Sequence, residues 1–434
     1  MALASRKDGL REALTGARIA ALDLPKGGFT AQARADALAR LRAMGLPVRR
    51  DEYWRYSDPA SLNAAEAESA PRFDPKEPHV FAGTDRVELV FVDGVFDPVR
   101  SGDLDLAGAE ITRLAEADSA DIHWARDLYG ALEAAGQMPV TRPFAALNTG
   151  AATDGALIRV TGRAARPVCL NYVHTSDASD PILHHCIRIE AGASLTLLET
   201  GPGGARFNTV LEVDIAEGGA FHHIRTQGRD HQRRAITHCF ARLASQAVFK
   251  SFTLTKNGVL TRNECVIDIR GDHAVAHVAG AAVGDGATGD FHHDDTVFVT
   301  HAGVACESRQ VFKKVLKRGA TGVFQGKILV KQGAQKTDGY QISQALLLDE
   351  DSQFLAKPEL EIYADDVKCS HGSTTGAIDE TALFYLRSRG VPKDAAVTLL
   401  ALSFLADAIA EIEDAALQSA IIARLEGWMA RHTG

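Results

Sequence analysis

Ile189-Glu-Ala-Gly-Ala-Ser-Leu195 places an apolar residue, a short turn of small and polar residues, and a second apolar residue six positions after the first. The pattern recurs in three later segments: Ile215-Ala-Glu-Gly-Gly-Ala-Phe221, Leu243-Ala-Ser-Gln-Ala-Val-Phe249 and Ile269-Arg-Gly-Asp-His-Ala-Val275. The starts at 189, 215, 243 and 269 are separated by 26, 28 and 26 residues, and weaker copies begin at Leu316 and Leu348. The middle of the chain is therefore an internal repeat.

This repeat predicts stacked coils of β-strands. A nearly fixed period of this length is typical of solenoids, and glycine-containing turns between apolar, β-branched segments favour strands. We predict a mainly β protein with a parallel β-helix core, in which each coil packs its apolar face on the next. An antiparallel meander with similar strand spacing is the alternative. Cys239 and Cys265 are 26 residues apart, which predicts equivalent interior positions on neighbouring coils.

Helical patterns flank the repeat, so we predict domains at residues 1–150, 151–376 and 377–434. The first domain is predicted to be mixed helical with a small strand element. Thr30 is a suitable cap for a helix over Ala31–Met44, and a second helix is predicted over Asp121–Ala135. Between them, Asp93-Gly94 joins two apolar segments in a predicted hairpin.

The third domain is predicted to contain helices over Glu380–Arg389, over Asp394–Asp407 and in a segment through Trp428. Asp379 is a suitable cap for the first of these helices. The middle helix carries apolar residues on two sides. Such a helix is buried on two sides, either within its own domain or against a partner.

Composition narrows the class of protein. The 434 residues carry a formal net charge of −9 and only 6% aromatic residues, which argues against a nucleic-acid partner. The six cysteines form no C-x-x-C pair, which suits a reducing cytoplasm better than a disulfide scaffold. Neither a secretion signal nor an apolar run long enough to cross a bilayer is predicted.

Neither a G-x-S-x-G nucleophile elbow nor an H-E-x-x-H zinc motif occurs in the sequence, and no segment matches a phosphate-binding loop. Gly322-Val-Phe-Gln-Gly-Lys-Ile328 has three residues between its glycines where a phosphate-binding loop has four, and Ile328 replaces the magnesium-binding Ser/Thr. We interpret this segment as a β-turn. We expect no enzyme activity in this chain, so any ATP that its task requires must be used by another subunit.

Histidines and acidic residues are the other candidates for chemistry. The adjacent pairs at 184–185, 222–223 and 292–293 are expected to place one histidine towards solvent and the other in a polar network, because neighbouring strand residues face opposite sides. His293 with Asp295 is a candidate metal pair, and His301 with Ser308 is expected to form a structural hydrogen bond. A carbohydrate-active β-helix, which needs clustered carboxylates, and a stand-alone metal-binding protein are the alternative functions.

Cys369 and His371 are two residues apart near the end of the repeat region, after an apolar run and before a Gly/Thr-rich turn. In an extended strand these two side chains project from the same face. A thiolate beside an imidazole is a suitable ligand pair for iron or zinc. Taken alone, a C-x-H pattern is more often a buried cysteine and a hydrogen-bonded histidine than a metal site.

The sequence segments around this pair resemble those of one family, the SufB/SufD proteins of the Suf iron–sulfur cluster assembly system. The resemblance rests on Gln335–Gln341, Leu346–Leu348, Lys357–Gly376 and Leu383–Gly390, with weaker matches at Glu52–Tyr56 and Phe144–Asn148. The length of the chain and the Glu52-Tyr-Trp-Arg-Tyr56 segment are more similar to SufD than to SufB. SufB is the close alternative.

The resemblance implies a right-handed parallel β-helix between two helical domains. It also implies a complex with SufB, through pairing of β-helix edges, and with two copies of the ATPase SufC, which docks on the C-terminal helices. Candidate contacts with SufC are the apolar residues Leu383, Phe384, Leu386, Leu399 and Phe404. A homodimer of the isolated chain is a further implied assembly.

Within that family the C-x-H pair is implicated in a nascent-cluster site between SufB and SufD. His371 is then the first candidate ligand and Cys369 the second. An iron–sulfur cluster usually takes four thiolate-type ligands, and no cysteine quartet with ligand spacing occurs here. We therefore expect a transient cluster shared with SufB, and no intrinsic cofactor. The sequence leaves the association of a flavin open.

Overall fold

The computed structural model describes residues 2–72, 79–228, 232–287 and 290–432. In this part of the chain, strands alternate between two sheets that run along a parallel β-helix. Sheet A contains β1 (Val87–Val92), β2 (Val95–Phe96), β5 (Val168–Val173), β7 (Ser194–Gly201), β9 (Ala220–Gln227), β11 (Val248–Lys256), β13 (Val275–Asp285), β15 (Glu307–Lys317), β17 (Asp338–Leu347) and β19 (Lys368–Gly376). Sheet B contains β3 (Ala109–Arg113), β4 (Ala156–Val160), β6 (Ile182–Ile189), β8 (Arg206–Ile215), β10 (Arg234–Leu243), β12 (Leu260–Ile269), β14 (His292–His301), β16 (Thr321–Val330) and β18 (Gln353–Ile362).

The predicted stacking of the repeat is confirmed. Ile189, Ile215, Leu243 and Ile269 pair in register on successive parallel strands of sheet B, and all four are buried in one core. Each repeat crosses the corner from sheet B to sheet A. Parallel pairing excludes the antiparallel meander. Cys239 lies opposite Cys265 and both are buried, as predicted.

The two weaker copies of the repeat were assigned to the wrong corner. Ile269 pairs with His301, and His301 pairs with Val330, so these residues continue the row. Leu316 instead lies near the end of β15, at the corner between β15 and β16, and Leu348 lies between β17 and β18. Both corners need an apolar residue on each side of a tight turn, so the same pattern marks either corner. The row is also continued by a histidine, which a purely apolar pattern misses.

The Gly322–Ile328 segment is not a β-turn. It lies within β16, where it pairs in parallel with β14 and β18. Its glycines make room for side chains inside the solenoid, as described below for Gly326, rather than for a change of chain direction.

The N-terminal part contains α1 (Ala2–Ala20), α2 (Ala31–Met44), α3 (Ala60–Asn63), α4 (Pro98–Ser101), α5 (Leu114–Ala117), α6 (Ala131–Ala135) and α7 (Pro143–Ala151). The helix over Ala31–Met44 and the β1–β2 hairpin are confirmed. Thr30 precedes that helix, but its hydroxyl donates to Asp118 and forms no cap. Strand β1 pairs with β5, and β3 pairs with β4, so residues before 150 extend both sheets.

The predicted helix over Asp121–Ala135 is wrong. The chain forms a 3₁₀ turn at Trp124–Asp127 and the short α6, separated by Gly130 in the left-handed conformation with φ of 74°. The amides of Gly130 and Glu133 donate to the Glu212 carboxylate. This carboxylate on β8 therefore holds the start of α6, which helix propensity alone cannot reveal.

The C-terminal part forms α8 (Glu380–Ser388), α9 (Lys393–Ile409) and α10 (Ala415–His432). Asp379 caps α8 as predicted, since its carboxylate accepts from the amides of Thr381 and Ala382. Helices α9 and α10 pack their apolar residues on the outer face of sheet A in a second core, with Leu405 and Leu425 fully buried. None of the helices in the described residues combines the length and hydropathy needed to span a membrane.

Candidate functional site

The last coil of the solenoid consists of β18 and β19, and it is open on one side. Strand β18 pairs only with β16 and β19 only with β17 within the described residues. Each strand thus presents a row of backbone N–H and C=O groups that another strand could pair with. Almost all side chains of this coil are partly or fully exposed, whereas those of the preceding coils are mostly buried.

Cys369 and His371 lie on the row of β19 positions that points into the solenoid. Cys369 is in register with Gly339, and His371 is in register with Gln341. Gly339 and Gln341 are buried, and their neighbours alternate with them towards the outside. Cys369 is half-buried and His371 is exposed because no further coil covers them. The pair is therefore made of interior positions that the end of the solenoid leaves accessible.

Cys369 rests on the apolar end of the core. It packs against a small apolar cluster that contains Ile328, Val330 and Ala364. Gly339 beneath it provides the space, since a Cβ at that position would lie 3.2 Å from the Cys369 Sγ. Partial burial raises the pKa of the Cys369 thiol above its usual range. Deprotonation for metal binding would therefore need the charge of the metal itself.

The opposite wall of the open end is apolar. The inward positions of β18, in register with the buried interior positions of β16, are Phe354, Ala356, Pro358 and Leu360. These side chains are only partly buried. The outer face of the same strand is held by the N-terminal part, where the Tyr53 hydroxyl donates to Glu359 at 2.8 Å. The last coil is thus anchored on its outside and uncovered on its inside.

The His293–Asp295 pair is not a metal site. The Lys314 ammonium lies 2.9 Å from His293 Nδ1 and 2.6 Å from an Asp295 carboxylate oxygen, so a fixed cation already occupies this position. Asp294 points the other way, to Ser57 and the Arg262 guanidinium. Neighbouring carboxylates on this strand diverge, so they form no cluster of the kind that a carbohydrate-active site needs.

The histidine pairs behave differently from one another. His222 is partly exposed and His223 is buried against Glu199, as predicted for adjacent strand residues. His184 and His185 are both buried, contrary to the prediction, because residues 129–148 cover the outer face of β6. His301 Nε2 and the Ser308 hydroxyl form a hydrogen bond of 2.8 Å, as predicted. Burial lowers the pKa of His301 to about 4.

One cluster with metal-ligand chemistry was missed from the sequence. The ligand atoms of His184, Cys186 and Glu212 lie within 4.8 Å of one another, and all three residues are buried. The Glu212 carboxylate already accepts from the amides of Gly130 at 2.6 Å and Glu133 at 2.8 Å, and it lies 2.9 Å from His184 Nε2. With these partners in place the carboxylate serves the fold. Glu212 lies at an outward position of β8, and the sequence around it does not indicate that another segment of the chain covers it.

A buried polar column inside the solenoid was also missed. Glu199 accepts from the Tyr172 hydroxyl and lies 2.8 Å from His223 Nε2. Burial alone would raise the pKa of Glu199, but the hydrogen bond and charge of His223 lower it to about 2. In later coils the column continues through Thr237 and Asn263, whose side chains are 2.8 Å apart. The sequence signal for this column is the spacing of the polar residues, which recur at inward strand positions. The number of polar residues alone does not indicate it.

The five candidate docking residues have different surroundings. Phe384 is 67% exposed and Leu399 is 50% exposed, so both present apolar surface to solvent. Leu383 is buried, and Leu386 is partly buried. Phe404 is also partly buried, with the Lys313 ammonium 4.8 Å from the centre of its ring.

Comparison with known proteins gives a consistent result. The family model for the SUF system FeS cluster assembly SufBD core domain matches residues 172–404, more than half of the chain. The chain is 28% identical over 402 residues to the iron-sulfur cluster assembly protein SufD of Escherichia coli (strain K12), covering 89% of this chain and 90% of that protein. An iron-sulfur cluster assembly SufBD family protein of Synechocystis sp. is 28% identical over 415 residues, covering 89% and 88%. The SufD protein of Bacillus subtilis (strain 168) is 28% identical over 270 residues, 60% of each chain. With its parallel β-helix between helical segments, the chain belongs to the SufB/SufD family of the Suf iron–sulfur cluster assembly system.

Proposed function

We propose that this chain is a SufD-type scaffold subunit that contributes Cys369 and His371 to a nascent-cluster site shared with SufB. The observation that carries the proposal is the placement of this pair on inward positions of the last coil, where His371 is exposed. The chain supplies no chemistry of its own. Its part is to hold two ligands at a surface that a partner completes.

The open coil supports the proposed pairing with SufB. In the part of the chain that the structure describes, strands β18 and β19 offer unpaired edges, and the inward residues Phe354, Pro358 and Leu360 are apolar and incompletely covered. A second β-helix that continues both sheets would satisfy the backbone groups and bury this apolar wall together. In the absence of SufB, two copies of this chain would pair through the same edges as a homodimer.

The proposed cluster is cargo rather than a resident cofactor. His371 would bind iron through an imidazole nitrogen and Cys369 through its sulfur as thiolate. The remaining ligands must come from the partner, because the other five cysteines are buried within the described fold. A site with two ligands on each of two chains releases its cargo when the chains move apart. The ATPase SufC would drive that movement, and the free thiols suit assembly in the reducing cytoplasm.

Cluster formation by variants of the last strand tests the proposal. His371→Ala and Cys369→Ala are produced together with SufB and SufC in a strain that depends on the Suf system. Iron and sulfide in the anaerobically purified complexes are then measured. We expect a strong loss for His371→Ala and a smaller one for Cys369→Ala. Ser370→Ala is the matched control, since Ser370 lies between them and points outward. Full cluster content in His371→Ala would remove this residue from the function.

Docking of SufC on the C-terminal helices is tested separately. Phe384→Ser and Leu399→Ser remove exposed apolar surface that is available to a partner. We expect SufC to be lost from the purified complex while SufB stays. Ile122→Ser, at a residue that is 85% exposed in the N-terminal part, is the control. Retention of SufC by the double variant of α8 and α9 would place its docking surface elsewhere.

A further inference from the structure

We infer that Gln341 is the positioning residue for His371: its buried side-chain oxygen accepts the N–H of the imidazole and leaves the other ring nitrogen free to bind iron. The inference rests on the proposed function of His371 and goes one layer deeper into the solenoid.

The inward row that ends at His371 is a ladder of amides. Gln310 is in register with Gln341, and Gln341 is in register with His371 on three successive strands of sheet A. Gln310 and Gln341 are both fully buried. Side chains at paired positions of neighbouring parallel strands lie one above the other. His371 is therefore the next group above the Gln341 amide on the open side.

The amide of Gln341 is held in a defined orientation. Its Nε2 donates to Gln310 Oε1 at 2.7 Å. The side chain reaches across the solenoid to sheet B, where a Cβ at Gly326 would lie only 2.0 Å from Nε2. Gly326 thus leaves the space that the amide fills. With the nitrogen committed to Gln310, the oxygen is the atom still available to a neighbour.

That oxygen has no partner within the described residues. Gln341 Oε1 is buried, and it accepts no hydrogen bond from the parts of the chain that the structure describes. Leaving a buried acceptor unpaired is unfavourable, because the group loses its hydrogen bonds to water and gains none in the protein. A hydrogen-bond donor from the neighbouring position of the ladder removes this cost. Gln310 Nε2, the other unpaired donor of the row, lies on the covered side, and on the open side the row offers the ring N–H of His371.

The chemistry of metal-binding histidines explains why this matters. A histidine ligand normally donates its second ring N–H to a carbonyl or carboxylate, which selects the tautomer and fixes the ring plane. The Gln341 amide oxygen supplies a neutral acceptor of this kind. Docking of a partner on the open coil would cover His371 and turn its ring onto this acceptor, so the ligand becomes ordered when the shared site forms.

Two substitutions separate positioning from packing. Gln341→Met keeps the length of the side chain and removes the acceptor, whereas Gln341→Glu keeps acceptor oxygens. Gln344→Met is the matched control, because Gln344 lies on the same strand, points outward and donates to Thr374. Thermal unfolding of each purified chain identifies any variant that loses its fold. Cluster content is then measured in complexes with SufB and SufC.

Loss of such a supporting partner typically lowers metal affinity or activity by roughly 10–100-fold. We expect a loss of about 10-fold or more in cluster content for Gln341→Met, retention of content in Gln341→Glu, and no change in Gln344→Met. The double variant Gln341→Met/His371→Ala should hold no less cluster than His371→Ala alone, because Gln341 acts through His371. An additive loss in the double variant would overturn the inference.

The inference and the proposed function fail in different ways. If Gln341→Met assembles clusters normally while His371→Ala does not, the proposed function stands and the positioning role is wrong. If His371→Ala is itself normal, the proposed function fails first. The tautomer of His371 is a second readout that does not depend on cluster content. Nitrogen-15 NMR of the histidine-labelled chain in the complex shows which ring nitrogen of His371 carries the proton, and the His371→Ala variant assigns the signal. One dominant tautomer in the wild-type chain and a mixture in Gln341→Met is expected. The same mixture in both would overturn the inference.

Discussion

The covered coils and the last coil of the solenoid use the same inward rows, yet the rows have opposite fates. Cys265 lies in the interior of a covered coil and is almost fully buried, whereas Cys369 occupies an inward position of the last coil and is half-exposed. His301 and His371 show the same contrast. Exposure here therefore depends on whether another coil follows, and not on the residue type or on the direction of its side chain.

The largest expected effect concerns a covered coil. Glu212→Ala removes the carboxylate that accepts from the amides of Gly130 and Glu133 and lies against His184. Breaking a buried, fully paired carboxylate leaves several donors unpaired. We expect the free energy of unfolding to fall by roughly 3–5 kcal/mol. Denaturant unfolding followed by circular dichroism measures the change.

The control for Glu212→Ala is Glu217→Ala, five residues later in an exposed turn of the same coil. Its effect should stay within about 0.5 kcal/mol. A loss below about 1 kcal/mol for Glu212→Ala would show that residues 129–133 are not held on β8. The covered and open parts of the solenoid would then differ less than their burial indicates.

A smaller effect depends on pH. Burial lowers the pKa of His301 from 6.5 in a model peptide to about 4 in the fold. Between these values the unfolded chain binds a proton that the folded chain does not. The contribution of His301 to the free energy of unfolding is therefore complete above pH 6.5. It is lost as the pH falls towards 4, which lowers the free energy of unfolding by about 3 kcal/mol. Other buried histidines, among them His185 with its pKa lowered to about 4, add to the loss.

His301→Gln removes this titrating group and keeps a polar side chain beside Ser308. We expect its free energy of unfolding to fall by about 3 kcal/mol less than that of the wild-type chain between pH 6.5 and pH 4. Ser308→Ala breaks the same hydrogen bond without removing a titrating group, so it should lower stability equally at each pH. Parallel pH profiles for the wild-type chain and His301→Gln would contradict a neutral, buried His301.

The sequence predicted the coils because their apolar residues recur at each corner. Ile189, Ile215, Leu243 and Ile269 carry the signal, since each ends a strand and packs on the next coil. The signal fails where the row continues with His301. Its polar ring is accommodated in the core by a hydrogen bond to Ser308, so no apolar residue marks this position in the sequence. Local pattern therefore located the solenoid but not the register of its later coils.

The candidate site was predictable only in part. The C-x-H spacing places Cys369 and His371 on one face of a strand, and this follows from geometry alone. That the face is the inside of the solenoid depends on pairing with Gly339 and Gln341, thirty residues earlier in the chain. The role of Glu212 in holding α6 likewise depends on a contact between distant segments. Single-residue patterns carry no information about such contacts.

The smallest expected effect compares the same substitution in the two parts of the solenoid. Cys265→Ala leaves a small cavity beside Cys239 in the core and should lower the free energy of unfolding by about 1 kcal/mol. Cys369→Ala should cost less than about 0.5 kcal/mol, because water fills the space at the open end. Denaturant unfolding at low protein concentration measures both. If the last coil pairs with a second copy, the cost of Cys369→Ala should rise with concentration towards that of Cys265→Ala. Equal costs at every concentration would contradict an open last coil.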